Sequence, residues 1–518
     1  MSEHSEVERI DVQAVNSPKV RQSLYAARVK IFPKRVNGEF RRFKWIVMFV
    51  TLAIYYLTPW LRWDRGPYAP DQAVLVDIAN RRFYFFFIEI WPQEFYYIAG
   101  LLIMAGLGLF LVTSAAGRAW CGYTCPQTVW VDLFLFVERA VEGDRNARMK
   151  LDKGPWTSDK IIKRAIKHGI WLIIAVLTGG AWIFYFADAP TLLIDFVTGH
   201  AEAIAYMTVA VLAATTYVLG GLMREQVCTY MCPWPRIQAA MLDENSLTVT
   251  YNDWRGEPRS LHSKKALAAG ETVGDCIDCN ACVAACPMGI DIRDGQQLEC
   301  ITCALCIDAC NTVMDKLGKP RDLISYATLN DYHANMALAT SGGTSAVDPR
   351  RVYDAPNQFS SEVRHFSIGK IFRPRSLAYL ALWTLIGVML VASLYMRERI
   401  GVNVLQDRNP QYVLLSDGSI RNGYTVKLLN MIPQPREFRV SIEGLPDATV
   451  TVQDSQPGAA GDYIIPVEPD RLTTLRVFVS VPAASISGER TPFKINVADV
   501  DGSEAAQYKA TFIAPEKN

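Results

Sequence analysis

The sequence predicts a multi-domain membrane protein with a five-helix transmembrane α domain, a cysteine-rich α+β domain and a C-terminal antiparallel β-sandwich. Three observations support this prediction. Five long apolar segments lie before residue 397, all twelve cysteines lie between Cys121 and Cys310, and short alternating segments follow residue 397. The 50% content of hydrophobic residues and the mean hydropathy of +0.09 argue against a disordered chain and against an ordinary soluble enzyme.

Five segments are apolar and long enough, or nearly so, to cross the ~30 Å hydrocarbon layer as helices. They are residues 45–61, 95–115, 169–187, 203–223 and 376–396. Trp and Tyr cluster at their ends, which is typical of head-group depth. Two shorter apolar stretches, 82–91 and 129–137, each contain an acid, and we expect interfacial or re-entrant helices there.

Lysine and arginine predict the orientation of these spans, because cytoplasmic loops carry an excess of both residues. Residues 18–44 hold nine of them and residues 117–167 hold ten, whereas residues 188–202 hold none. We therefore expect the N-terminus and the loops after the second and fourth spans to lie inside. The C-terminus is then expected outside.

The chain of 518 residues is predicted to contain six regions. They are a basic cytoplasmic segment (1–44), a four-helix membrane domain (45–223), a cytoplasmic cysteine-rich domain (224–334), a linker or covering loop (335–375), a fifth transmembrane helix (376–396) and an outer β-sandwich (397–518). Lysine and arginine total 53 against 52 acids, which leaves a net charge of +1. This balance excludes a global basic surface of the kind that binds nucleic acids.

Eight cysteines form two copies of the spacing C-x2-C-x2-C-x3-C. The first copy is Cys276, Cys279, Cys282 and Cys286, and the second is Cys300, Cys303, Cys306 and Cys310. Bacterial ferredoxins with two [4Fe–4S] clusters have this spacing, and the fourth cysteine of each copy binds the other cluster. The sequence therefore predicts one cluster on Cys276, Cys279, Cys282 and Cys310. A second cluster is expected on Cys300, Cys303, Cys306 and Cys286.

Zinc sites and free core cysteines are the alternatives for these eight residues. Structural zinc usually takes four ligands from two short pairs and not from this longer spacing repeated twice. We therefore favour two clusters and a two-cluster ferredoxin-like fold. Cluster thiolates also require a reducing compartment, which agrees with an inside location.

The other four cysteines belong to a repeat that reads Cys-x-Tyr-x-Cys-Pro. Cys121 and Cys125 follow the second span, and Cys228 and Cys232 follow the fourth. On a helix, thiols four residues apart share one face. We expect the two pairs to converge into one four-sulfur site at the inner face of the membrane.

Three interpretations of this four-sulfur site stay open. In the first, the thiols are a redox dithiol that accepts and passes electrons. In the second, they hold a copper ion that is being reduced. In the third, they are structural, or they hold another cluster or zinc. Copper is considered because thiolate favours Cu(I). Arg118, Arg224 and Arg236 lie nearby in the sequence and are expected to lower the thiol pKa values.

Several other cofactors are not expected. The sequence contains no phosphate-binding glycine loop, dinucleotide fingerprint or nucleophile elbow. Its six histidines form no transmembrane pair, so a bis-histidine haem within the membrane is not expected. NAD or flavin would therefore act through a partner protein.

Residues 397–518 contain about seven short alternating stretches punctuated by Gly, Pro and Asp. They are 424–431, 437–442, 449–452, 462–467, 475–481, 493–497 and 508–512. This pattern predicts an antiparallel β-sandwich. No catalytic constellation stands out in it, and we interpret it as an interaction module.

The repeats, the double cysteine spacing, the late fifth span and the outer sandwich together resemble the FixG/RdxA/CcoG family, the accessory proteins of cbb3-type cytochrome c oxidase. The resemblance covers nearly the whole chain. It implies a multi-pass protein of the bacterial inner membrane with a cytoplasmic N-terminus and a periplasmic immunoglobulin-like domain. It also implies a cupric reductase that supplies Cu(I) for oxidase assembly, with Cys121, Cys125, Cys228 and Cys232 as its membrane thiols. The other eight cysteines are implied as cluster ligands.

Two alternative functions are kept. Quinol dehydrogenase subunits similar to those that serve periplasmic nitrate reductase share the first part of the chain, but they lack the fifth span and the sandwich. A non-enzymatic copper-binding scaffold is the other alternative. The expected partners are the lipid bilayer, an unknown cytoplasmic electron donor, and a copper chaperone, a copper transporter or oxidase assembly factors. The oligomeric state stays open, with a homodimer as one alternative, and no nucleic acid is expected.

Overall fold

A computed structural model describes residues 30–515, except 262–264, 266–267, 271, 342–348, 356–357, 433, 458–461, 470, 487 and 502–503. Most of the predicted basic N-terminal segment therefore lies outside the described residues. Within the described part, five helices are long and apolar enough to cross a membrane. They are Glu39–Trp60, Pro92–Ala116, Ser158–Ile183, Ala203–Met223 and Pro374–Tyr395. A long apolar helix is thus present at each of the five predicted spans, although the third helix begins eleven residues before the predicted span, at Ser158.

The α-helices, in chain order, are α1 (Glu39–Leu57), α2 (Tyr96–Ala116), α3 (Ala119–Tyr123), α4 (Pro126–Glu142), α5 (Arg145–Lys153), α6 (Ser158–Ile183), α7 (Ala189–Thr198), α8 (Ala203–Thr215), α9 (Trp234–Met241), α10 (Asp253–Gly256), α11 (Ala281–Ala285), α12 (Leu305–Leu317), α13 (Leu329–Thr340), α14 (Pro349–Val352) and α15 (Pro374–Tyr395). Helix α8 continues as a π-helix, Thr216–Met223, and a second π-helical turn spans Val227–Met231.

The strands are β1 (Val74–Asp77), β2 (Arg82–Phe85), β3 (Ile88–Ile90), β4 (Thr248–Tyr251), β5 (Ile324–Ala327), β6 (Tyr353–Ala355), β7 (Gln358–Phe359), β8 (Ile400–Gln406), β9 (Val413–Leu414), β10 (Ser419–Asn430), β11 (Arg436–Glu443), β12 (Thr449–Val452), β13 (Tyr463–Val467), β14 (Leu472–Pro482), β15 (Arg490–Asp499) and β16 (Ala505–Ile513).

The chain divides into two compact units. The first comprises residues 1–48, 115–171 and 218–371, and the second comprises 49–114, 172–217 and 372–518. The first unit therefore contains all twelve cysteines, and the second contains the sandwich.

The cysteine-rich part of the first unit is built on a small α+β core. Strands β4 and β5 pair antiparallel, and helices α11 and α12 follow the two cysteine loops. Val249, Ile307, Met314 and Ile324 are almost completely buried in this core together with Cys282 and other cysteines. The apolar core thus holds the cysteine loops against one two-stranded sheet.

The stretch predicted as a linker or covering loop contains regular structure. Helix α13 crosses its predicted start, and α14 and the hairpin β6–β7 follow. Val352 and Val363 are buried against Trp254 and Ala339. This stretch therefore covers the end of the β4 region as a packed layer.

Helix α4 contains the short apolar stretch 129–137, for which an interfacial or re-entrant helix was expected. The helix is present, and its Phe134 and Leu135 are buried inside the first unit. Its acids are buried and paired: Asp132 accepts from Arg41 at 2.8 Å, and Glu138 contacts Arg148 and Arg224. Acids inside an apolar helix are tolerated here because cations from other segments of the chain neutralise them.

The second apolar stretch, 82–91, is not the expected helix. It forms strands β2 and β3 of an antiparallel sheet with β1. Its aromatic and β-branched residues favour extended structure, and Tyr84 and Ile90 are buried on the sheet. Phe86 makes the turn with a φ of 51°. The pattern of apolar residues over only ten positions could not distinguish a short helix from a pair of strands.

The C-terminal region is an antiparallel sandwich, as predicted. One sheet has the order β12-β14-β10-β8 with β9 beside β10, and the other has the order β13-β11-β15-β16. All seven predicted strands are present, and the prediction missed β8 and β9. Tyr424, Leu428, Phe438, Val477 and Phe512 fill the space between the sheets and are fully buried. The sandwich thus has its own apolar core.

We predict that Glu138→Gln destabilises the first unit by about 3 kcal/mol, because buried Arg148 and half-buried Arg224 would lose their counter-charge. Thermal unfolding followed by tryptophan fluorescence measures this effect. Lys163→Gln is the control, because its exposed pair with Asp159 contributes at most about 0.5 kcal/mol. Equal unfolding midpoints for the two variants would contradict the prediction.

The same network predicts acid sensitivity. Burial alone would raise the pKa of Glu138, but Arg224, Arg148 and Lys167 outweigh it, and the pKa lies below the ordinary 4.5. Ionised Glu138 therefore makes its full contribution to the free energy of unfolding above pH 4.5, its ordinary pKa. That contribution is lost as the pH falls through the lower pKa of Glu138 in the folded chain.

Candidate functional site

The two cysteine loops have the same backbone conformation. Asp278 and Asn280 flank Cys279 with φ values of 52° and 55°, and Thr302 and Ala304 flank Cys303 with 51° and 59°. Such left-handed conformations are uncommon for residues other than glycine. Left-handed residues are one half of the backbone nest, in which successive N–H groups turn toward a bound anion, and many iron–sulfur sites have this geometry. The sequence repeat is therefore also a structural repeat.

The folded chain groups the eight cysteines as the spacing predicts. One small pocket is lined by Cys276, Cys279, Cys282 and Cys310. A second is lined by Cys286, Cys300, Cys303 and Cys306, with Cys282 at its border. The fourth cysteine of each copy thus lies with the first three of the other copy.

These two pockets fit iron–sulfur clusters better than single metal ions. Among the described residues, no three His, Cys, Asp or Glu side chains meet as ligands of one ion. Zinc needs four donors at about 2.0–2.3 Å from one centre, whereas a [4Fe–4S] cluster takes one thiolate on each of four irons. Apolar Ile277 lines the first pocket, and apolar Ile290 lines the second. Thr302 also lines the second pocket, and its hydroxyl is buried without a hydrogen-bond partner.

Both membrane thiol motifs interrupt their helices in the same way. The N–H of Cys125 donates to the carbonyl of Trp120 at 2.9 Å, and the N–H of Cys232 donates to the carbonyl of Val227 at 2.8 Å. Both bonds reach back five residues, and Cys125 and Cys232 themselves have ψ values of 128° and 121°. The expectation of two thiols on one continuous helix face is therefore wrong.

The prolines explain this break. Pro126 is the first residue of α4, and Pro233 directly precedes α9. Proline is favoured at a helix start because it has no N–H to leave unpaired. Each motif is thus a helix end followed at once by a new helix, with its second cysteine at the junction.

The two thiol motifs lie near enough for their thiols to interact electrostatically, but among the described residues no three Cys, His, Asp or Glu side chains meet as ligands of one ion. A single four-sulfur site therefore stays a prediction. The charges of Cys125, Cys228 and Cys232 all act on the thiol of Cys121, and Cys125 and Cys232 act on Cys228. The thiol of Cys121 donates to the Gln238 side-chain oxygen at 3.2 Å. Cys232 is exposed, whereas the other three are half-buried.

The nearby arginines do not activate these thiols. Burial raises the pKa of Cys121 and Cys228 to about 12 each, and Arg118 offsets this only in part at Cys121. Arg118 instead donates to backbone carbonyls, and Arg224 pairs with Glu138. The prediction of lowered thiol pKa values is therefore wrong for these two cysteines.

The first thiol motif packs directly on the second cysteine loop. A Cβ atom at Gly122 would lie 2.7 Å from the carbonyl oxygen of Ile301 and 3.1 Å from Cα of Cys303, so only glycine permits this approach. The Tyr123 hydroxyl donates to the carbonyl of Cys303 at 3.3 Å. Arg118 donates to the carbonyl of Cys300 at 3.1 Å. Backbone contact therefore joins the thiol site to the second cluster pocket.

Curated relatives match almost the whole chain. The nitrogen fixation protein FixG of Rhizobium meliloti is 66% identical over 509 residues, which is 98% of this chain and 97% of that protein. The chain belongs to the FixG family. Protein RdxB and protein RdxA of Cereibacter sphaeroides are 53% and 51% identical, over 95% of this chain and 97% and 98% of their own lengths.

Family models match three parts of this FixG-family chain. A 4Fe–4S dicluster domain matches residues 223–329, and the immunoglobulin-like fold at the C-terminus of FixG matches 390–515. A 4Fe–4S binding domain matches 98–141, which includes Cys121 and Cys125. A solved structure of a FixG-related protein from Vibrio parahaemolyticus covers 23% of this chain and 97% of its own, at 21% identity and a TM-score of 0.20. The chain is an iron–sulfur redox protein with candidate transmembrane helices and an immunoglobulin-like C-terminal domain.

Gly122 and Tyr123 were missed by the sequence reasoning. The two thiol repeats differ at this point, because the first reads Cys-Gly-Tyr and the second reads Cys-Thr-Tyr. That difference was the one available signal that the first copy approaches another backbone. Pairing with a loop 180 residues away was not visible in the sequence.

We predict that Cys286→Ser abolishes the second cluster, because Cys286 lines that pocket although it belongs to the first sequence copy. Iron content should fall from about eight to about four atoms per chain. Anaerobic iron analysis and electron paramagnetic resonance measure the result. Retention of the second cluster with loss of the first would reject the crossed ligand assignment.

We predict that Gly122→Ala separates α3 from the second cysteine loop, because the new methyl group would overlap the Ile301 carbonyl. The expected result is a changed resonance signal of the second cluster and a loss of about 1–3 kcal/mol in stability. Gly180→Ala is the matched control, since nothing lies within 4 Å of a Cβ there. An unchanged spectrum and unfolding midpoint in Gly122→Ala would show that the contact is unimportant.

Proposed function

We propose that this FixG-family chain is a membrane-bound electron-transfer protein that reduces Cu(II) to Cu(I) at the thiols of Cys121, Cys125, Cys228 and Cys232. We also propose that the reduced copper serves the assembly of a cbb3-type cytochrome c oxidase. The observation that carries the proposal is the contact of Gly122 with Ile301 and Cys303. It supports electron exchange between the thiol site and the second cluster pocket.

The thiol site suits copper in its reduced state. Thiolate sulfur is a soft ligand and selects Cu(I). Cys232 is exposed and would be the first ligand that a copper ion from solvent meets. Cys121, Cys125 and Cys228 are half-buried and less accessible to solvent. Binding would displace thiol protons, because only the thiolate coordinates. The site can therefore take an ion from water and hold it in a drier environment.

The cluster pockets supply the reducing capacity. When bound, [4Fe–4S] clusters exchange single electrons, and one electron converts one Cu(II) ion to Cu(I). The chain contributes the eight cysteine ligands, the apolar walls that exclude water, and the left-handed loops that place the thiols. Arg118 joins the carbonyls of Leu298 and Cys300 to the carbonyl of Pro235, which lies three residues after Cys232. It thereby connects the cluster loop with both thiol motifs.

We further propose a location in the bacterial inner membrane with the cysteine sites in the cytoplasm and the sandwich in the periplasm. The distribution of basic residues between the loops supports this orientation. The absence of cysteine from residues 397–518 is compatible with the outer compartment. A copper chaperone, a copper transporter or an oxidase assembly factor would receive the product.

We predict that anaerobically purified protein contains about eight iron atoms per chain and reduces Cu(II) when supplied with an electron donor. Cys121→Ser, Cys125→Ser, Cys228→Ser and Cys232→Ser should each slow reduction about tenfold or more at unchanged iron content. A Cu(I)-specific chelator measures the product. Undiminished rates in all four variants would remove the thiols from the reaction.

The iron count also tests the rival occupant of the thiol site. About twelve iron atoms per chain, falling to about eight in the serine variants, would assign a third cluster to these thiols. That result would contradict copper binding at the thiols. The match of a 4Fe–4S binding domain to residues 98–141 makes this comparison necessary.

We predict that a membrane-impermeant maleimide labels Thr474→Cys, in the sandwich, in cells whose outer membrane has been made permeable. Lys316→Cys, in helix α12, should be labelled only after the inner membrane is opened. Both native residues are exposed, so accessibility within the fold is matched. The reverse pattern would invert the proposed orientation.

A further inference from the structure

A cavity of about 660 Å³ lies in the first unit beside the second cysteine loop. Its lining is largely apolar and includes the rings of Phe40, Phe43, Tyr123, Trp254 and Tyr326. Neither the thiol site nor the cluster pockets use this space. An aromatic lining of this kind suits a flat ring ligand of low polarity.

The cavity is lined in part by residues of the membrane spans. Phe40 and Phe43 belong to the first span, and Ala116 is the last residue of the second. The Phe43 side chain is 53% exposed. A ligand that arrives from the bilayer would meet these residues, which favours a lipid-soluble molecule over a soluble metabolite.

Two tyrosines connect the cavity wall to the second cysteine loop. The Tyr326 hydroxyl donates to the carbonyl of Thr302 at 2.6 Å, and the Tyr123 hydroxyl donates to the carbonyl of Cys303 at 3.3 Å. Both rings line the cavity. One layer of side chains therefore separates the cavity from a cluster-binding loop, which favours a redox-active ligand over a structural lipid.

Groups that can take up protons also line the cavity. Glu39, Asp322 and His365 are part of its wall, and all three residues are exposed to solvent. A ligand that releases protons on oxidation would therefore have a route for them to water.

We propose that this cavity binds the head group of an isoprenoid quinol, and that the quinol is the electron donor of the chain. This donor replaces the unknown cytoplasmic donor expected from the sequence. Oxidation of one quinol to the quinone breaks two O–H bonds and releases two electrons and two protons. The two electrons reduce two Cu(II) ions to Cu(I), and the protons leave to water. Copper as the acceptor rests on the proposed function, whereas the binding site does not.

Photoaffinity labelling tests the binding site directly. Full-length protein, purified anaerobically and placed in nanodiscs of phosphatidylethanolamine and phosphatidylglycerol, is irradiated with an azido-ubiquinone. We expect label on peptides that contain residues 39–43, 325–327 or 363–366, and we expect excess decylubiquinone to suppress it. Label elsewhere, or label that decylubiquinone does not suppress, would overturn the proposal.

Variants of the wall provide matched controls. Ala116→Phe fills the cavity and should reduce specific labelling about tenfold, whereas Ala105→Phe, on an exposed position of the same helix, should not change it. Phe43→Ala removes one ring and should weaken decylubiquinone competition about tenfold, whereas Phe49→Ala, 74% exposed in the native chain, should leave it unchanged. Iron content checks that each variant is folded. If Ala116→Phe loses iron, Phe43→Ala decides the question.

The labelling experiment contains no copper, so its outcome is independent of the proposed function. Normal labelling in a protein that never reduces Cu(II) would reject copper reduction and retain the quinol site. Copper reduction with an artificial donor, but equal labelling of wild type and both wall variants, would reject the quinol site alone. Occupation of the cavity by a phospholipid tail would exclude the probe and appear as an absence of label on these three peptides, and it too would overturn the proposal.

Discussion

The closeness of Gly122 to the Ile301–Cys303 backbone is the constraint on which the redox site depends. With no side chain at position 122, helix α3 rests directly on the loop that carries three cysteines of the second pocket. Backbone contact is the closest approach that two chain segments can make. Any larger residue would separate the thiol motif from that loop, while the eight cysteines could still form their pockets.

Arg118 holds the same contact together by hydrogen bonding. Its guanidinium donates to the carbonyls of Leu298, Cys300 and Pro235, which belong to the cluster loop and to the start of α9. Burial lowers the pKa of this arginine, and the charges of Cys121 and Cys300 counteract the effect in part. The carbonyl groups pair with Nη1 and Nη2 of the guanidinium, whereas its Nε is buried without a hydrogen-bond partner. Carbonyl groups do not neutralise the guanidinium, so a positive charge stays beside two sets of thiols. That charge offsets only part of the effect by which burial raises the pKa of the Cys121 thiol.

Unfavourable backbone conformations are found in the second cysteine loop and in the second thiol motif. Thr302 and Ala304 hold left-handed conformations that neither residue prefers, and the Thr302 hydroxyl is buried without a partner. The second thiol motif lies in a π-helical turn, a form that is rare and frequent at functional sites. The apolar core around β4, β5 and α12 and the ion network around Glu138 surround these elements and stabilise them. Strain is thus tolerated where ligands must be placed and is balanced by packing elsewhere.

The sequence by itself determined the features that depend on local spacing. Length and apolarity specify a span, alternation specifies most strands of the sandwich, and the double cysteine spacing specifies which thiols share a pocket. Only the tertiary structure decided the features that depend on distant partners. Residues 82–91 became strands because β1 was available to pair with them, and the thiol pKa values rose because burial outweighed the arginines. The contact between Gly122 and Ile301 joins positions far apart in the chain, so no local pattern could reveal it.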